Sequence, residues 1–147
     1  MKMKWQLALI VGAGLGGLAN ANLSFAHEDK KMEAVLGQYL KIQESLASDS
    51  LKGVSQAAKQ IEKNAESEEI KSAAEKLATD RTLESAREHF KALSIPMDKW
   101  AKVEAPENVD RVSCPMAKAP WLQKHGAVKN PYYGKKMASC GQVQKNE

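Results

Sequence analysis

The chain has 147 residues, 22 Lys/Arg against 18 Asp/Glu, 43% hydrophobic residues and two cysteines. That length fits one domain with one modest core. The excess of four basic residues is small and by itself says little about nucleic acid. Beyond the N-terminal stretch no apolar run approaches the roughly 20 residues of a membrane span.

The N-terminus reads as an export signal. Lys2 and Lys4 form a positive segment, and Leu7 to Leu18 is uncharged and mostly apolar, diluted by Gly12, Gly14, Gly16 and Gly17. Ser24-Phe25-Ala26 then places small residues at the −3 and −1 positions of a cleavage site. The apolar run is short and Gly-rich for the alternative, a permanent anchor. Residues 1–26 are therefore expected to be removed, with His27 as the mature N-terminus. No cysteine follows the cleavage site to carry a lipid. The expected location is periplasmic or otherwise exported, with no nucleic-acid partner and no stable membrane insertion after cleavage. The mature chain has 20 basic and 18 acidic residues, unevenly spread. Residues 27–110 carry 13 basic and 17 acidic residues, and residues 111–147 carry seven basic and one acidic. A basic tail lying across an acidic helical body is the expected reason, the alternative being a basic tail that meets an anionic partner.

Four helices follow from periodicity. Met32, Val35, Leu36, Tyr39, Leu40 and Leu46 form the stripe of the first. Asp49 or Ser50 is the expected cap of the second, whose stripe is Leu51, Val54, Ala58, Ile61 and Ala65. Ser67, followed by Glu69 and Ile70, opens a third, with Ala73, Ala74, Leu77 and Ala78 inward. Asp80 is the expected cap of a fourth carrying Leu83, Ala86, Phe90, Leu93, Met97 and Trp100. Pro96 predicts a kink or break near Ser94–Pro96, because it lacks a backbone donor and crowds the preceding turn. The fold class expected is all-α, a small antiparallel helical bundle over residues 27–103. An irregular tail, residues 104–147, closes it within the same domain. Val109, Val112 and Val143 predict one short strand pair at most.

The tail contains Ser113-Cys114-Pro115-Met116, Pro120-Trp121-Leu122, Asn130-Pro131-Tyr132-Tyr133-Gly134 and Met137-Ala138-Ser139-Cys140-Gly141. Pro115 and Pro131 push the residues before them out of helical conformation, and Gly134 permits a positive φ. Two Cys/Met clusters are thereby expected on fixed turns. This pattern resembles an uncharacterised exported domain family, whose members occur alone and at the C-terminus of copper/silver efflux adaptors of the membrane-fusion type. The likeness is specific over Cys114–Val143 and looser over the helices, where Tyr39, Asp49, Phe90 and Ser94 fall at family-like places. The family carries no established activity. The resemblance implies company with heavy-metal export, a partner such as an efflux complex or metallochaperone, and a stand-alone version of the domain.

Two chemistries are open to the cysteines. An even count in an exported chain is most simply a disulfide, Cys114 to Cys140. The alternative is a soft-metal site of Cys114, Met116, Met137 and Cys140, joined by His125, since thiolates and thioethers select Cu(I) and, in the same way, Ag(I). A third combines them, with oxidation controlling metal access. Trp121, Tyr132 and Tyr133 either anchor the tail on the bundle or present an interaction surface. His89 reads as a boundary residue. A free His27 terminus could chelate Cu(II), or simply fray. No His-Glu-x-x-His or Cys-x-x-Cys is present, and a nucleophilic cysteine would have only His125 as a base. The protein is read as non-enzymatic. It is expected to bind or hand over copper or silver, or else to be a metal-free, disulfide-stabilised module docking on an envelope complex.

Overall fold

The computed structural model describes residues 19–145, with side chains from Lys30 onward. The expected leader, its cleavage point and His27 lie outside the described side chains. Helices α1 (Ala19–Ala47), α2 (Val54–Asn64), α3 (Glu68–Thr79) and α4 (Leu83–Glu104) are followed by strands β1 (Val109–Cys114), β2 (Ala119–Lys124) and β3 (Gln142–Val143). No helix among the described residues is long and apolar enough to cross a membrane.

The helices obey their apolar stripes, but two caps differ from expectation. Gly53, with φ 78°, precedes α2 without a side-chain cap. Asp49 instead has φ 56° and receives Arg87 at 2.6 Å and the Lys135 amide at 3.2 Å. Thr82 caps α4 through the Ser85 amide at 3.2 Å, while Asp80 ends α3 and holds His89 at 2.9 Å. Ser67 caps α3 as expected. Pro96 does not break α4, which runs continuously to Glu104. Its ring is buried beside Leu93, Ser94 and Met97, so packing offsets the single backbone hydrogen bond that proline removes.

The tail corrects the fold class. It is not irregular: β1 is the centre of a three-stranded antiparallel sheet of order β2-β1-β3. Val109 lies opposite Lys124 and Cys114 opposite Ala119, while Val112 pairs with Val143. The protein is therefore mixed α/β, with four helices and an antiparallel sheet. Pro120 is tolerated because β2 is an edge strand.

Helices and sheet share one core. Tyr39, Phe90, Trp121 and Leu122 are all fully buried in it. Tyr39 stacks on Phe90 at 4.8 Å between ring centroids. Its hydroxyl shares a 2.6 Å hydrogen bond with Ser94 Oγ and accepts the Leu122 amide at 3.2 Å. Burial raises the Tyr39 pKa far above the ordinary phenol value, so this hydroxyl stays neutral. One oxygen thus links α1, α4 and β2. Tyr39→Phe should cost about 1–3 kcal/mol, since it leaves Ser94 and the Leu122 N–H without a buried partner. A urea unfolding midpoint measures this.

Candidate functional site

Cys114 ends β1 and is 1% exposed, whereas Cys140 is half-buried in the turn before β3. The fold brings their sulfurs to 3.1 Å, with both cysteines as free thiols. The Ala117 amide donates to Cys114 Sγ at 3.4 Å. Burial pushes the Cys114 thiol up. Hydrogen bonds from Cys140, the Ala117 and Met116 amides and the Asn130 side chain outweigh this and hold its pKa below the usual thiol value. Cys140 is pushed up by its hydrogen bond to Cys114, by burial and by the Cys114 charge. The two thiols titrate as a pair, with the first proton lost more readily than the second.

Asn130 positions Cys140. It is fully buried, and its Nδ2 donates to the Cys140 carbonyl at 2.6 Å. Its Oδ1 accepts the amides of Tyr132 at 2.8 Å and Tyr133 at 3.1 Å. Its own amide donates to Ala138 at 2.8 Å. Gly141 lets the chain pass close to the sheet, because a Cβ there would meet Trp121 at 2.5 Å and Val112 at 2.9 Å. Gly134 has the expected positive φ, 56°, and a Cβ at that position would overlap the Asp49 carboxylate. Arg87 completes this anchor, donating to Asp49, to the Leu46 carbonyl at 3.0 Å and to the Pro131 carbonyl at 2.9 Å. The Arg87 hydrogen bond, the Lys135 amide and both cations hold the Asp49 carboxyl below its ordinary value despite slight desolvation. The anchor is accordingly intact above the ordinary carboxylate pKa and is lost as pH falls through the depressed one.

The remaining candidates divide. Met137 shares the Cys140 turn, its carbonyl accepting the Cys140 amide at 3.0 Å. Met116 is 63% exposed, two residues past Cys114, and lines a small hollow with Arg87, Lys91 and Tyr133. His125 is separated from the sulfurs. It follows the end of β2 that faces Val109, five rungs from Cys114, or roughly 17 Å along the strands. There its Nδ1 lies 2.7 Å from Asp110, a 9% exposed carboxylate that also accepts the Gly126 amide at 3.2 Å. Among the described residues no group of three or more His, Cys, Asp or Glu is placed to hold a metal ion.

The aromatic residues proposed as an interaction surface are mostly interior. Trp121 is fully buried, Tyr132 is 9% exposed and Tyr133 is half-buried. Trp121 meets Tyr132 edge-on at 5.8 Å, and the Tyr132 hydroxyl donates to the Pro120 carbonyl. Trp121 and Tyr132 anchor the tail, because the indole N–H and the Tyr132 hydroxyl both find partners inside. Sequence reasoning missed the hub role of Asn130 and the Asp49–Arg87 anchor. The Asn-Pro pair signalled a turn, but nothing local announced that the Asn side chain is enclosed.

Neither a curated protein nor a solved structure matches the chain. The pattern of one family, described as a protein of unknown function (DUF3347), matches residues 35–108. That segment covers α1 from Val35 to the loop before β1 and stops short of the Cys114–Val143 motif on which the resemblance was based. Spanning half of the sequence, the match places the chain in this domain family of unknown function.

Proposed function

We propose that the protein is a non-catalytic, exported accessory factor that carries Cu(I) or Ag(I) between Cys114 and Cys140. The observation that carries this reading is the placement of two free thiols side by side, their sulfurs 3.1 Å apart; the pair would open to admit an ion between them. Two thiolates suit a soft ion that accepts few ligands, whereas a structural Zn(II) site takes four. Met137 and Met116, in the adjoining turns, are the neutral thioether donors that would complete the shell. His125, at the far end of the hairpin from the sulfurs, is left out of this set. The likeness of the tail to a domain carried by copper/silver efflux adaptors supports the cargo, and with it an efflux complex or metallochaperone as partner.

The same contact favours a second reading, a structural disulfide. The sulfurs would close from 3.1 Å to about 2.05 Å, and a bridge over this separation stabilises by about 3 kcal/mol in the chain-entropy picture. Native mass spectrometry of protein isolated from the cell envelope separates the two. Copper or silver retained at one ion per chain supports the cargo reading. A mass two hydrogens short, with no ion taken up after reduction and exposure to Cu(I), contradicts it.

A further inference from the structure

Helix α1 carries more apolar surface than the core consumes. Val35, Tyr39, Ile42 and Leu46 are fully buried, but Met32, Leu36 and Leu40 are only partly so. These three residues, spaced four apart, form one wall of a groove with Trp100 of α4 and Pro106 beyond it. The groove consists of two adjoining hollows of about 570 and 810 Å³ that share Glu33, Leu36 and Pro106.

Gly37 lies in this groove, in the interior of α1. Glycine there destabilises a helix relative to alanine. Nothing among the described residues requires it, because a Cβ at Gly37 would meet none of their atoms within 4 Å. A surface pressed closely against α1 from outside would require it. The rim supplies a second clue. Exposed Glu104 borders one end, exposed Glu33 lies where the two hollows join and Glu107 further along, while Lys124 and His125 lie at the other end.

We propose that this groove docks an amphipathic helix of a partner protein, apolar on the face that enters and bearing Lys or Arg where it passes Glu33 and Glu104. The groove reaches Val109 and Lys124, at the end of the hairpin opposite Cys114. A docked partner therefore leaves the thiols open. This inference stands independently of the metal reading.

The test uses the purified protein and two 14-residue helical peptides, one of Leu and Lys and the other of Leu and Glu, in fluorescence anisotropy at low salt. The Leu/Lys peptide should bind at least about tenfold more tightly, a difference of about 1.4 kcal/mol. Gly37→Leu should weaken it about tenfold with unchanged helical circular dichroism, and Leu36→Gln should act in the same direction. Glu33→Lys combined with Glu104→Lys should remove the preference for the basic peptide. Equal affinity for both peptides, or undiminished binding by Gly37→Leu and Leu36→Gln, overturns the proposal. So does a wild-type dimer in sedimentation that Gly37→Leu dissolves, because a second copy would then fill the groove.

Discussion

Trp121→Ala is expected to unfold the helices together with the tail, in a single transition, at a cost of about 3–5 kcal/mol. That is a large share of the stability of an ordinary domain. The indole is fully buried, on a strand that packs against both α4 and α1. It meets Tyr132, which in turn lies 6.1 Å from Phe90. Its Nε1 donates to Gln123 at 3.1 Å, and the same Gln123 oxygen accepts the Lys129 amide. Truncation therefore opens a cavity and removes the donor that occupies part of a buried amide. Far-ultraviolet circular dichroism and limited proteolysis, followed through one denaturant titration, should report coincident midpoints. A helical signal outlasting proteolysis of residues 104–147 would show that the tail is a separate layer.

The second large effect is expected at Asn130. Alanine there leaves two amides and one carbonyl without partners in a fully enclosed place. At about 1–3 kcal/mol per unsatisfied group, offset in part by local relaxation, the loss should reach about 3 kcal/mol. The consequence reaches the sulfurs, because Asn130 holds the Cys140 carbonyl. Cys140 should be alkylated several-fold faster in Asn130→Ala than in the wild type under native conditions. Unchanged alkylation with lowered stability would confine Asn130 to a structural role.

The helices were legible because each carries apolar residues at spacings of three and four, and most of their inward residues are buried. The sheet was not. Strand β1 alternates correctly, but its buried face is Asp110, Val112 and Cys114, so burial does not follow hydropathy. In β2 the proline at 120 reads as a strand breaker and Gln123 as a surface residue, yet Gln123 is 2% exposed and fully engaged. Asp49 and Asp80 suggested helix starts because short oxygens suit caps, and tertiary partners, Arg87 and His89, claimed them instead. The even cysteine count suggests that Cys114 and Cys140 meet, and their sulfurs lie 3.1 Å apart, but the expected disulfide is not formed and both remain free thiols. The separation of His125 was not, because it depends on the hairpin register. Met32, Leu36 and Leu40 were read as core, although the described chain covers them only in part.

Cys114 and Cys140 are proposed to hold a soft ion jointly. The most direct test is Cu(I) competition against a chelator of known affinity, in the reduced protein, across pH 6 to 8. The wild type should take one Cu(I), more tightly as pH rises, because the pair must lose the proton that it retains. Cys114→Ser and Cys140→Ser should each lower the affinity by at least about a hundredfold, or about 2.7 kcal/mol. Met137→Leu and Met116→Leu, which keep apolar bulk, should lower it less. A reduced wild type that binds Cu(I) no better than the double serine variant would contradict the account and leave the cysteine pair as a clasp for the tail.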